Sequence, residues 1–155
     1  MSTPNTIKLK KYLDVVIERK AAAAITPGML IYLTGTADTV AKHNHDSGPV
    51  HPPMFALEDE LQGKTIYQAY ATGDRVQCWI PQRGEEVLAL LVDGEHVEIG
   101  DRLASKGTGW LKKHDADSLH EEEVVAIALE HMDRSTSSGA GTDEVAGGRI
   151  KVMVV

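Results

Sequence analysis

ATGDRVQCWIPQRGEEVLALLVDGEHVEIGDRLASKGTGWLK, residues 71–112, is the stretch on which the reading of the fold turns. Glycine next to an acidic residue recurs in it, at Gly73-Asp74, Gly84-Glu85, Asp93-Gly94-Glu95 and Gly100-Asp101, between short apolar runs. Glycine supplies the positive φ that tight turns need, and Val, Ile, Leu and Trp suit a pleated, half-buried surface. The pattern therefore predicts strands joined by close turns, in a mainly β fold: a small β-barrel or β-sandwich-like body with at most one short helix.

Outward from that stretch, the same signals place strands at 29–33, 39–42, 53–58, 75–80, 86–92, 96–99, 102–105, 109–112, 123–131 and 149–155. The one short helix is expected near Thr65–Ala71, where Ile66, Tyr67 and Tyr70 can share a face. The last two runs are expected to pair as a terminal hairpin. The Ser- and Gly-rich segment 134–148 between them is low in bulky apolar groups and reads as a flexible loop. A barrel-like domain over 26–155 follows, preceded by an N-terminal arm over 1–25.

That arm has its own signature. Ile7, Leu9, Leu13, Val15 and Ile17 fall largely on alternate positions, which favours an extended segment, although Leu13–Ala24 also tolerates a helix. Its first 20 residues carry Lys8, Lys10, Lys11, Arg19 and Lys20 against Asp14 and Glu18, a net +3 in a chain of net charge −7, so the remainder holds −10. An acidic body disfavours nucleic acid as the main partner, because binding phosphate backbones requires clustered Lys and Arg. The basic lead suits an acidic protein surface instead. An extended arm of this kind can add a strand to a neighbouring sheet, with Ile7, Lys8, Leu9, Lys10, Lys11, Leu13 and Val15 as the candidate contact residues.

With 155 residues the chain is long enough to bury a core without staples. The single Cys78 has no internal disulfide partner and sits in a strand-like run, so it reads as a buried thiol. No run approaches the roughly 20 apolar residues that span a bilayer. Asp14, Glu18, Arg19 and Lys20 also break any apolar stretch behind the first lysines, so no membrane partner is expected and a cytoplasmic site of synthesis is.

Candidate chemistry is sparse. His43-Asn44-His45 followed by His51 is the nearest approach to a metal set, and a His-x-His opening is shared with cupins, small barrels that hold a catalytic metal. No Glu follows at the cupin spacing, and Ser47, Gly48, Pro49, Pro52 and Pro53 describe a loop. A cupin-like metal-dependent enzyme is therefore the alternative reading. Asp115, Asp117, His120, Glu121, Glu122 and Glu123 lack the alternating oxygen ligands of a Ca²⁺ loop. No nucleophile elbow, P-loop or dinucleotide-binding glycine motif occurs. Lys106 and Lys112 lack the setting of a swinging-arm lysine, and Trp79 and Trp110 read as core or interface anchors rather than sugar platforms.

The ordered set Ile25-Thr26-Pro27-Gly28-Met29-Leu30, Phe55-Ala56-Leu57-Glu58-Asp59-Glu60-Leu61-Gln62-Gly63-Lys64, Ala69-Tyr70-Ala71-Thr72-Gly73-Asp74-Arg75-Val76, Leu88-Ala89-Leu90-Leu91, Ile99-Gly100-Asp101-Arg102-Leu103-Ala104-Ser105 and Gly107-Thr108-Gly109 resembles the capsid decoration, or head cement, proteins of tailed bacteriophages. The resemblance runs from about residue 25 to the end, and Val125–Glu130 with Arg149–Val152 fits it. It implies a non-enzymatic, cofactor-free structural virion protein on the outer surface of the expanded head, assembled in the host cytoplasm. Its partners would be the major capsid protein and itself, as a homotrimer. No catalytic or contact residues carry over from that family position by position.

Overall fold

The computed structural model describes residues 4–116, 123–135 and 148–155. Within them the chain is mainly β, with no α-helix and one 3-10 turn at Glu60–Gln62. The helix expected near Thr65–Ala71 does not form. That stretch turns instead, and Tyr70 bridges to Ile25 in antiparallel fashion, its hydroxyl donating to the Leu57 carbonyl at 2.7 Å. Bridge and hydrogen-bond partners distant in sequence outweigh a weak local helical pattern.

The strands are β1 (Lys8–Lys10), β2 (Val16–Ala21), β3 (Leu30–Leu33), β4 (Thr39–Lys42), β5 (Met54–Ala56), β6 (Arg75–Trp79), β7 (Glu86–Leu90), β8 (His96–Val97), β9 (Arg102–Ser105), β10 (Leu111–Lys113), β11 (Val124–Ala128), β12 (Met132–Asp133) and β13 (Arg149–Val154). Five of them close a barrel in the order β2-β4-β3-β5-β6, with β2 and β6 antiparallel and β2 and β4 parallel. Six form a second sheet, β1-β7-β13-β11-β9-β10. That sheet curls: the Val92 amide donates to the Leu111 carbonyl at 2.9 Å, so the start of β10 meets the end of β7. β8 and β12 make a short separate ribbon.

The expected terminal hairpin is present as β11 and β13, in register Ala126↔Val154 to Ala128↔Val152. Its tip, 136–147, lies outside the described residues. The run expected as one strand over 123–131 ends at Ala128, and the chain re-enters pairing as β12 against β8.

Two apolar cores follow from the period of 2 along barrel strands that are buried on both faces. Ile31, Met54, Cys78, Val76 and Val40 fill the barrel interior. Their strand neighbours Leu30, Phe55 and Trp79 point the other way and join Val87, Leu88, Leu103, Ala126 and Ile150 of the curled sheet in one larger core. Each large side chain sealed there contributes on the order of 1.5–3 kcal/mol.

Gly28 marks where the two layers come closest. Its φ is +93°, its amide donates to the Ala56 carbonyl at 2.7 Å, and a Cβ there would lie 2.8 Å from the Arg149 guanidinium and 2.9 Å from the Leu88 carbonyl. A side chain at this position would meet both a strained φ and occupied space.

Candidate functional site

The lead that the sequence set apart as an arm over 1–25 lies against the body over its described length. Ile7 is fully buried in the larger core, and Leu9 packs on the same cluster. β1 pairs with β7, with an irregularity between Lys8 and Lys10, and occupies the outer edge of the curled sheet. Val16–Ala21 goes further: as β2 it pairs with β6 from Val16↔Trp79 to Lys20↔Arg75 and closes the barrel.

Two buried carboxylates fix the lead on either side of β1. Glu58 accepts from the Thr6 hydroxyl at 2.6 Å and from the Ile7 amide at 3.2 Å. Glu85, with no exposed surface, accepts from the Tyr12 and Leu13 amides at 3.1 and 3.0 Å. Buried carboxylates are tolerable when such donors replace water, and here three of the four donors are backbone amides near a sheet edge.

What these anchors present outward is a compact apolar and basic patch. Tyr12, Leu13 and Val15 are 68%, 59% and 41% exposed. Lys8 and Lys11 both reach Asp14, at 2.7 and 2.8 Å, and hold its carboxyl below the usual range. The Lys10 ammonium lies 5.7 Å from the Tyr12 ring centroid. Of the seven contact residues read from the sequence, Lys10, Lys11, Leu13 and Val15 are exposed, Lys8 and Leu9 are intermediate and Ile7 is interior. Tyr12 belongs to the patch and was missed, because it falls off the alternating register.

The patch runs into an open groove of about 340 Å³ at the mouth of the barrel. The Ile80 amide donates to the Val15 carbonyl at 2.9 Å. Ile17, Ile31, Leu33, Met54 and Ile80 line the groove together with the 49–52 segment. Leu33 at the rim is 52% exposed.

The histidine set His43, His45 and His51 does not assemble into a metal site. The His43 Nε2–H donates to the Pro49 carbonyl at 3.0 Å, while Nδ1 faces the Ser105 hydroxyl at 2.7 Å, which in turn accepts from the Gly107 amide at 3.1 Å. Both ring nitrogens are thus engaged in holding the 43–50 loop to β9. Burial is the main cause of a lowered His43 pKa, reinforced by His45 and opposed by the Pro49 carbonyl and Glu123. His51 pairs instead with Glu123, which also accepts from the Val50 amide.

The other candidates are placed as follows. Trp79 is fully buried and offers no platform to a sugar. Trp110 has the Arg134 guanidinium 5.6 Å above its ring. Cys78 is buried in the barrel, where desolvation pushes its thiol up to about 12. Lys106 and Lys112 pair with Asp46. Asp117, His120, Glu121 and Glu122 lie outside the described residues. Among the described residues, the group of His and carboxylate side chains that does converge is His96, Glu98 and His131, on the ribbon. The His-x-Glu alternation at 96–98 was the available signal for it, since residues two apart share a strand face.

The architecture of the described residues defines a class: a mainly β body in which a closed five-stranded barrel is backed by a curled six-stranded sheet. Within that class, the crystal structure of the head fiber gp8.5 N base in bacteriophage phi29 is similar, with a TM-score of 0.55 and 15% sequence identity over 92% of this chain and 95% of that chain. At this identity the likeness is one of fold. No protein-family model matches the chain, and no curated protein matches its sequence.

Proposed function

We propose that this chain is a structural protein of a tailed-phage virion, bound to the outer surface of the expanded head, where it stabilises contacts between major capsid proteins. The observation that carries the reading is the patch at Tyr12, Leu13 and Val15, held in place by Glu58 and Glu85 and continuous with the apolar barrel mouth. The fold likeness to the base of a phage head fiber supports it from outside. The family resemblance in the turn motifs supports it from the sequence.

Patch and groove form the attachment surface. Three large apolar side chains that leave water together contribute about 1 kcal/mol or more each, with Lys10 and Lys11 complementing an acidic shell. A homotrimer presents the surface three times, and effective concentration then multiplies modest single contacts. No catalytic step enters this reading. A second reading, the base of a projecting head fiber, is favoured by the particular structure that the fold matches.

The test uses expanded heads stripped of this protein. Wild-type chain is expected to saturate them, and the triple variant Tyr12→Ser, Leu13→Ser, Val15→Ser to bind about tenfold or more weakly, with unchanged circular dichroism. Undiminished binding by the triple variant would sink the attachment surface. Images of decorated heads separate the two readings, since a cement protein forms low knobs and a fiber base carries a projection.

A further inference from the structure

We infer that the β8–β12 ribbon carries a binding site for a single divalent transition-metal ion such as Zn²⁺, formed by His96, Glu98 and His131, with Asp133 orienting His96. The register creates it. Met132 stands opposite Val97 and Asp133 opposite His96, so the next antiparallel step brings His131 opposite Glu98. Val97 between the two outward residues is fully buried, and Met132 packs on the same core, so the four polar side chains are directed away from it.

The distances suit a small cation. His96 Nε2 lies 3.0 Å from Glu98 Oε1, and His131 Nδ1 lies 3.1 Å from Glu98 Oε2. The three groups' ligand atoms fall within 4.8 Å of one another. Ligands about 2.0–2.1 Å from a tetrahedral Zn²⁺ stand roughly 3.3 Å apart, so small side-chain rotations suffice. The His96 Nδ1 is 3.4 Å from Asp133 Oδ1, which leaves Nε2 for the metal in the carboxylate–histidine–metal arrangement that fixes tautomer and ring orientation.

Two imidazoles with one carboxylate favour Zn²⁺, Co²⁺, Ni²⁺ or Cu²⁺ over Mg²⁺ or Ca²⁺, which seek oxygen. The two carboxylates balance the ion's charge. The ribbon is also held beyond its own pair, since the Arg134 amide donates to the Glu95 carbonyl at 2.7 Å and the Gly94 amide to the Arg134 carbonyl at 3.2 Å. All three ligands are exposed, so the fourth position opens to solvent and accepts a water molecule.

The experiment titrates Zn²⁺ into the untagged chain by calorimetry at pH 7.5. One ion per chain is expected. His96→Ala and His131→Ala should each weaken binding by about tenfold or more, and the double variant should abolish it, while His51→Ala leaves it unchanged. Circular dichroism checks that each variant is folded, and a tenfold excess of Mg²⁺ should not displace Zn²⁺. Absence of saturable binding, equal binding by the folded double variant, or displacement by Mg²⁺ would overturn the assignment.

Discussion

Arg149 opens β13 in a position that few charged side chains occupy. Its guanidinium is buried and donates to the Pro27 carbonyl at 2.9 Å and the Ile66 carbonyl at 2.6 Å, with the Tyr67 ring 5.4 Å away. Burial lowers its pKa, yet a guanidinium remains charged at any working pH. One side chain thereby ties the segment before β3, the 65–70 turns and the curled sheet. His43 acts on the same scale and brings a pH dependence. Because burial depresses its pKa below 6.5, the folded state resists taking a proton that the unfolded chain accepts. The stabilisation it supports is therefore complete above about pH 6.5 and is lost as pH falls from there to the folded value, below which it changes no further. Replacing His43 by Gln should flatten that part of the stability profile, measured as the midpoint of thermal unfolding between pH 7.5 and 5. An identical slope in the two proteins would contradict this role. Neither residue's part could be read from the sequence. Arg149 looked like the polar start of a strand, and His43 like a member of an exposed loop, because burial arises from partners 62 to 122 residues away.

At the level of strands, the turn chemistry and the terminal β11–β13 hairpin were legible, and the pairing of the lead was not. Gly73, Gly94 and Gly100 have φ near +90°, and the strands they delimit, Arg75–Trp79 and Arg102–Ser105, fall where expected. β2 is different. Alternation over 7–17 predicts an extended backbone but does not name a neighbour, and a barrel stave and a free arm present the same period of 2. The consequence is a sharp boundary in truncation behaviour. Removing residues 1–15 deletes β1 and the exposed patch but keeps the closed barrel, so the product should fold with a lowered melting temperature. Removing 1–21 takes away β2 and exposes the edges of β4 and β6, so that product should aggregate or remain unfolded. Size-exclusion chromatography and circular dichroism of the two proteins would decide. A monomeric, cooperatively melting 22–155 fragment would argue against β2 as a required stave. The candidate site was half legible for the same reason. Lys10, Lys11, Leu13 and Val15 carried the basic, alternating signal, whereas Glu58 and Glu85, which seat them, are 27 apart in sequence from each other and read as the end of a strand and as a turn acid.

Across the whole molecule, barrel and curled sheet share one core. Leu30, Phe55 and Trp79 belong to barrel strands by hydrogen bonding and to the sheet's core by packing. Neither layer can melt while the other keeps its buried surface, so unfolding should be a single transition. Phe55→Ala should lower stability by about 3–5 kcal/mol and move that transition without splitting it. Coincident denaturation curves from tryptophan fluorescence and far-ultraviolet circular dichroism are the check, and two separated midpoints would contradict the shared core. The paired grips of Glu58 and Glu85 bear on recognition as well. Backbone ordering costs roughly 1–2 kcal/mol per residue, and over 6–13 it is already met during folding rather than at the moment of docking. A partner that lands on Tyr12 and Leu13 would find a preorganised tab, with only side-chain rotamers left to freeze.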